Sequence, residues 1–295
     1  MLQNTHHLKE EYCWICESDK LEVIKKSNIT TIVKSDSFAI TDSTYGVTSE
    51  LSKCADCGFI QSSGITDVLS FYENLEDPSY EANRKERLLQ ASKIVASMPR
   101  FKKGAKLLDI GAGSGIFVEA AIKAGYDAQG VEPSLWLQKK ALEHGLPITL
   151  GTFPNAACVG PYDVITIVDV IEHVNNPVQL LLESYKALTK GGIIIVVTPD
   201  VSSFVARMLK YKWWHFRVAH IGYFNEVTLD KALTKAGFIK KSTKSAKWYF
   251  ALDYLMARVN TYMPFWCKFP IPKFFSKITV PLNLFDSILA IYSKP

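Results

Sequence analysis

From residue 105 onward the chain alternates between two hydrophobic periods. Short, nearly continuous apolar runs ("AKLLDIGAG", "YDAQGVEPS", "PITLGTF", "YDVITIVDVIEHV", "IIIVVTPD") are separated by stretches whose apolar positions recur every three or four residues. The first kind predicts strands buried on both faces; the second predicts amphipathic helices packed over them. The helices expected are "GIFVEAAIKAG" closed by Gly125, "LWLQKKALEHG" closed by Gly145, and "NPVQLLLESYKALTKGG" with Asn175 or Asn176 as a cap before Pro177. A helix at 228–236, a lysine-rich strand at 238–248 and a closing strand at 287–294 complete the pattern. The alternation predicts an α/β fold, a doubly wound and mostly parallel sheet over about residues 104–295. Upstream, residues 63–103 read as a linker and a bridging helix. The helix opens in the turn chemistry of 77–79 and ends before Pro99.

The first sixty residues follow a different rule. "CWIC" and "CADCG" place Cys13, Cys16, Cys54 and Cys57 in two Cys-x-x-Cys pairs, the second followed by Gly58. One tight turn can supply two thiolates to a tetrahedral zinc ion, so the four cysteines predict a zinc-ribbon-like module over 10–62. Free thiols or a redox pair are the competing readings. The Thr-, Ile- and Val-rich stretch "NITTIVKSDSFAIT" (28–41) predicts short strands between the pairs. Cys158 and Cys267 stand alone and read as packed side chains.

Charge narrows the partners. Residues 1–60 carry six lysines and nine acids, a balance of −3. That is the wrong sign for phosphate contacts, so the module reads as structural or partner-docking and disfavours nucleic acid. The whole chain of 295 residues carries only +5. "MLQNTHHLKEEY" has neither an apolar core nor a small-residue cleavage site, and no apolar run reaches the roughly 18 residues of a membrane span. A cytoplasmic protein is expected, with reduced cysteines.

In a doubly wound sheet, ligands bind at the carboxyl ends of the strands, where the strand order reverses. Asp109 and the loop Gly111-Ala112-Gly113-Ser114-Gly115 end the first such strand. Glycines let a ligand approach the backbone, and the next helix offers unpaired N–H groups. The loop reads G-A-G-S-G-I, so the third glycine comes one residue too early for the dinucleotide fingerprint, and no Walker loop is present. Glu132, followed by Pro133, ends the second strand and can accept from both ribose hydroxyls of a nucleoside. Thr152 and Phe153 end the third, with Phe153 placed to stack on adenine; Asp169 and Val170 end the fourth, near the amine of a bound amino acid. Taken singly, Asp109 reads as well as a capping acid and Glu132 as a solvated loop acid. Together these residues imply a ligand with an adenosine half and an amino-acid half, which S-adenosylmethionine fits.

At this point "LLDIGAGSG", "GVEPS", "YDVITIVDVIEHV", "LTKGGIIIVVTPD" and the closing strand resemble a class I S-adenosylmethionine-dependent methyltransferase. The flavour is similar to the ubiquinone-biosynthesis O-methyltransferase-like group, a subset of which carries an amino-terminal four-cysteine zinc module. The resemblance covers about residues 80–295. It implies a Rossmann-like sheet, with Asp109, Gly111, Gly113 and Gly115 holding the methionine half, Glu132 the ribose, and the backbone of Asp169 and Val170 beside the cofactor. Many relatives have an acid where this chain has Thr152, so the adenine contact departs from the pattern.

Methyl transfer to oxygen needs an aligned acceptor, exclusion of water and removal of a proton, for which a histidine is suited. His173, after Glu172, is the first candidate base; His220 in "AHIGYFNEVTL" is the second, and His215 is weaker. A structural hydrogen bond is the competing role for each. Tyr80 and Arg84 lie where the entering helix would close over the cofactor, or simply on its amphipathic surface. The aromatic stretch at about 247–285 has five basic residues and one acid. It reads as an insertion over the acceptor site: a lid, a homodimer contact or a peripheral membrane surface at the inner membrane. The expected acceptor is a hydroxyl, or a sugar carbon, of a small molecule, nucleotide-sugar or lipid-linked glycan. The rivals are an RNA methyltransferase docking through the zinc module, a nicotinamide-dependent oxidoreductase, and a non-catalytic cofactor-binding protein.

Overall fold

The computed structural model describes residues 11–295 apart from 43 and 66. The stretch read for a leader lies almost wholly outside these residues, as does Glu10 at the expected start of the cysteine module. In chain order the elements are β1 (Leu21–Lys25), β2 (Glu50–Cys54), β3 (Ile60–Ser63), α1 (Val68–Glu73), α2 (Pro78–Ala82), α3 (Arg84–Ser97), β4 (Lys106–Ile110), α4 (Ile116–Lys123) and β5 (Asp127–Glu132). They continue with α5 (Leu135–Glu143), β6 (Ile148–Leu150), β7 (Tyr162–Val168), α6 (Pro177–Ala187), β8 (Leu188–Pro199), α7 (Phe204–Leu209), β9 (Gly222–Tyr223) and α8 (Glu226–Lys235). The last elements are β10 (Ile239–Ser245), β11 (Trp248–Ala251), α9 (Leu252–Tyr262), β12 (Thr279–Leu282) and β13 (Ser287–Ser293).

The central sheet has seven strands in the order β10-β13-β8-β7-β4-β5-β6. β4 pairs in parallel with both β5 and β7, whereas β13 runs antiparallel to β8 and β10. The chain therefore winds outward from β4 in one direction through β6, then returns beside β4 with β7. That reversal opens a crevice between the β4 and β7 ends. Strand interiors such as Leu107, Leu108, Ile165, Ile167, Ile194 and Val196 are fully covered, which is why they read as unbroken apolar runs. Asn176 caps α6 as expected: its Oδ1 accepts from the Gln179 N–H at 3.0 Å, with Pro177 in the first turn.

Several boundaries differ from expectation. No strand forms among the described residues of 28–41; that stretch has a 3-10 turn at Ser35–Phe38, whose Phe38 stacks on Phe71 at 4.6 Å. Its β-branched composition lacks a partner strand, and Ile32 points to solvent. The module's strands flank the cysteine turns instead, and β9 extends their sheet through Ile60↔Tyr223 and Gln61↔Gly222. The bridging helix is broken in two: Asp77 caps α2 by accepting from the Tyr80 N–H at 2.9 Å, and Asn83 leaves helical geometry before α3. α6 stops at Ala187 rather than continuing through the Lys-Gly-Gly sequence, which instead begins β8. No helix among the described residues is long and apolar enough to cross a membrane.

Candidate functional site

A cavity of about 570 Å³ opens at the carboxyl ends of β4, β5, β6 and β7. Asp109, Gly111, Ala112, Gly113, Glu132, Pro133, Thr152, Phe153, Asp169, Val170, His173 and His220, all singled out in the sequence, line it. Gly115 does not. A methyl group on it would lie 2.7 Å from Leu146 Cδ1, so Gly115 lets α4 pack against α5 and β6. A methyl on Gly111 would lie 2.4 Å from Val170 Cγ2. Only a bare backbone lets the β4 and β7 loops meet, and Gly111 also has φ +72°, a left-handed conformation.

The acids at the strand ends are buried. Glu132 Oε2 accepts from the Gly113 N–H and Oε1 from the Ser134 N–H, both at 2.8 Å. Burial pushes its carboxyl up to about 7 against the pull of those two N–H groups. Each oxygen retains a second lone pair for a ligand hydroxyl. Asp109 Oδ1 accepts from Thr166 Oγ1 at 2.6 Å; burial, aided by Glu132, pushes it up to about 7 as well. Asp169 sits at φ +53°, and burial likewise raises it to about 7 against the nearby Arg87 charge.

Beyond Asp169 the chain turns through a 3-10 segment, Ile171–His173. His173 Nδ1 lies 2.7 Å from the Ala219 carbonyl oxygen and 2.7 Å from the Tyr72 hydroxyl. A carbonyl can only accept, so Nδ1 carries the proton and Nε2 keeps a lone pair. Burial holds the ring neutral, with its pKa lowered to about 4. Glu172 Oε1 stands 3.9 Å from that Nε2, while Oε2 accepts from Thr198 Oγ1 at 2.9 Å. Oε1 has no hydrogen-bond partner among the described residues. Burial, then repulsion from Asp169, raises Glu172 well above its ordinary value, which favours the protonated form that can donate. His220 packs edge-on against His173 at 4.7 Å, and His215 stacks on His220 at 5.4 Å. A buried acid and a neutral histidine thus stand side by side on the cavity wall, at a spacing that lets one oxygen atom beside them reach both.

Tyr72 and Arg87 carry no signal in the sequence. Tyr72 reaches His173 across 101 residues, and Arg87 stacks on Tyr80 at 4.1 Å with its Nε unpartnered among the described residues. No local pattern marks either. Tyr80 lines the cavity, but Arg84 lies outside it. Arg84 braces the glycine loop from behind, donating to the Ser114 carbonyl at 3.1 Å and pairing with Glu119 at 2.6 Å.

The second cluster lies in the amino-terminal module. Cys13 Sγ is 3.4 Å from Cys57 Sγ, and Cys16 Sγ is 3.5 Å from Cys54 Sγ. All four sulfurs lie within 4.8 Å of one another. A tetrahedral ion with metal–sulfur distances of about 2.3 Å fits that spacing.

Residues 80–241, more than half of the chain, match a family described as a methyltransferase domain. Curated relatives include ubiquinone biosynthesis O-methyltransferases from Caulobacter sp. (34% identical over 104 residues, covering 32% of this chain and 41% of that protein) and from Actinobacillus pleuropneumoniae (39% over 108 residues, 32% and 46%). The matched region thus spans less than half the length of these relatives. Among solved structures, similarity extends to a Thermotoga maritima S-adenosylmethionine-dependent methyltransferase (21% identity, TM-score 0.50, 74% of this chain and 95% of that one). It extends also to a Haemonchus contortus phosphoethanolamine N-methyltransferase in complex with S-adenosylmethionine (17%, TM-score 0.51, 80% and 62%). At these identities the likeness speaks to fold, a Rossmann-like sheet with helices on both faces.

Proposed function

The chain belongs to the methyltransferase-domain family, and from that premise we propose that it transfers a methyl group from S-adenosylmethionine to a hydroxyl oxygen. One observation carries the oxygen acceptor: the buried pair of His173 Nε2 and Glu172 Oε1, 3.9 Å apart, on residues that line the same cavity as the glycine loop. The O-methyltransferase names of the curated relatives support the same reading.

The fit of the cofactor rests on its donors and acceptors. Gly111 and Gly113 would present bare backbone to the methionine half, with Asp109 and Asp169 near its amine. Glu132 would accept from the ribose hydroxyls, and Phe153 and Thr152 would border the adenine. When bound, the cofactor supplies an electrophilic methyl on a sulfonium. The chain's own residues do the rest. Glu172 would donate to the acceptor oxygen and orient it, and His173 Nε2 would take the proton that this oxygen gives up on methylation, the thioether being the leaving group. Apolar walls exclude water, so alignment contributes much of the rate. Family membership supports this reading over nicotinamide chemistry, and the acidic module supports it over an RNA acceptor.

The acceptor falls in the class of phenolic or sugar hydroxyls, with a sugar carbon as the neighbouring chemistry. The four cysteines are proposed to hold a structural zinc ion, since all four sulfurs lie within 4.8 Å and leave no open position. The test is transfer of radiolabelled methyl from S-adenosylmethionine to a panel of catechols, glycosides and nucleotide-sugars. Label in an ether-linked methyl supports the proposal. Calorimetric binding of the cofactor with no product across the panel would leave a non-catalytic binding protein in its place.

A further inference from the structure

The segment between β10 and β13 has a root and a tip of opposite character. At the root, Trp248, Tyr249, Phe250 and Tyr254 line the cavity, and β11 pairs with β12. The root is tied down by polar contacts. Trp248 Nε1 donates to Ser287 Oγ at 3.0 Å, Thr279 Oγ1 donates to Glu86 Oε1 at 2.9 Å, and the Tyr262 hydroxyl donates to the Lys212 carbonyl at 3.1 Å.

At the tip the apolar residues have no cover. Phe265 is 81% exposed, Trp266 77% and Phe274 60%, with Met263 and Ile278 exposed beside them. The tip is not a frayed end. The Asn260 side chain closes it by donating to the Phe269 carbonyl at 3.0 Å and accepting from the Phe269 N–H at 3.3 Å. Charge there has one sign: residues 254–285 carry one arginine, three lysines and no acid. Lys268 and Lys277 are exposed on the tip, and the Lys210–Lys212 turn that Tyr262 contacts adds more of the same sign.

We propose that this tip docks the protein on an anionic lipid bilayer. Phe265, Trp266 and Phe274 sit in the boundary between headgroups and acyl chains, and Lys268 and Lys277 lie against lipid phosphates. Bulky aromatics between lysines suit that boundary, which offers apolar depth and negative charge together. A second copy fits less well, because a twofold contact would bring two lysine-bearing tips together with no acid in residues 254–285 to pair them. Docking would hold the cavity wall formed by the root close to the bilayer, where an acceptor with a hydrophobic tail is presented. The proposal concerns the surface alone and stands or falls apart from the methyl-transfer reading.

The experiment uses the full chain and sedimentation with vesicles of equal parts phosphatidylglycerol and phosphatidylcholine, against pure phosphatidylcholine. Binding is expected to the mixed vesicles and to weaken as salt rises. Two variants separate the contributions: Phe265→Ser with Trp266→Ser, and Lys268→Glu with Lys277→Glu. All four positions are exposed, so thermal unfolding should be unchanged. Each pair should lower partitioning roughly tenfold or more. Acyl-chain bromination should quench wild-type tryptophan fluorescence more than that of Trp266→Phe. Failure to sediment with mixed vesicles, or equal partitioning of the variants, overturns the proposal. A dimer by light scattering that the aromatic variant dissolves, without vesicle binding, assigns the surface to a second copy. Capture of a labelled oligonucleotide in place of vesicles assigns it to nucleic acid.

Discussion

His173 Nδ1 faces the Ala219 carbonyl oxygen at 2.7 Å, and this contact decides which ring nitrogen can act as a base. With Nδ1 protonated, Nε2 is the free acceptor on the side of Glu172. Replacing His173 with Gln keeps a polar side chain but removes the basic nitrogen. Methyl transfer to oxygen is expected to fall by about 10²–10⁴ in kcat, while calorimetric affinity for S-adenosylmethionine holds. The pH profile has a worked sign. Because burial lowers His173 to about 4, Nε2 stays unprotonated through the range where an ordinary histidine charges, so the acid limb of kcat, measured with saturating S-adenosylmethionine, should lie well below 6.5. Full turnover by the Gln variant would remove His173 from the chemistry.

Glu132 predicts a pH dependence of binding with the opposite origin. Its carboxyl is pushed up to about 7 by burial, so in the free protein near neutrality a large fraction is protonated. Ribose hydroxyls donate best to the ionised form, so binding lowers the pKa and releases a proton. Affinity should therefore rise as pH increases from 6 towards about 7 and level off above it. Glu132→Gln should weaken binding by about 1–3 kcal/mol at pH 8 and flatten that slope. Titration calorimetry in buffers of different ionisation enthalpy checks both. An unchanged slope in the variant would assign the proton to Asp109 or Asp169, which burial raises to about the same value.

Much of this site is legible in the sequence because its ligand contacts stand at strand ends. A buried parallel strand is a run of apolar residues, and the residues just past its carboxyl end must stand at the crevice; that rule places Asp109, Glu132, Phe153 and Asp169. It does not place Gly115, because a glycine that admits a ligand and one that admits Leu146 look alike in sequence. Tyr72 and Arg87 come from helices whose positions depend on tertiary packing. Their approach to His173 and Tyr80 has no local periodicity to reveal it. The strands expected but not formed in 28–41 show the same limit, since β-propensity is satisfied only where a partner strand is in reach.

Gly111 and Val170 supply a steric prediction. Gly111→Ala sets a methyl 2.4 Å from Val170 Cγ2 at φ +72°, so both sterics and backbone conformation oppose it. Cofactor affinity should fall at least tenfold and stability should drop by about 1–3 kcal/mol. Adding Val170→Ala relieves the contact but not the backbone, so a partial rescue is expected in urea unfolding. Complete rescue would show that φ at this position costs nothing. No rescue would show that the Val170 contact is not the cause.

The cysteine cluster is expected to act on the cavity through a short chain of contacts. Phe59, two residues after Cys57, packs on Phe224 at 4.9 Å. The Ser62 N–H donates to the Ile221 carbonyl at 2.7 Å, and the Ile221 N–H donates to the Glu172 carbonyl at 2.9 Å. Lys235 on α8 donates to the Ile15 carbonyl at 2.9 Å from the other side. If zinc holds the four sulfurs together, its removal leaves buried thiols with no common partner, and the backbone that positions Glu172 and His173 loses its support. Purified protein should carry about one equivalent of zinc. A strong chelator, or Cys54→Ser with Cys57→Ser, should lower Tm by roughly 5 °C or more. It should also reduce kcat more than it weakens cofactor binding, because Glu132 and the glycine loop stand on β4 and β5, apart from this chain of contacts. Metal content well below one equivalent would refute the zinc reading. Unchanged kcat after complete metal loss would show that the module does not support the Glu172–His173 turn.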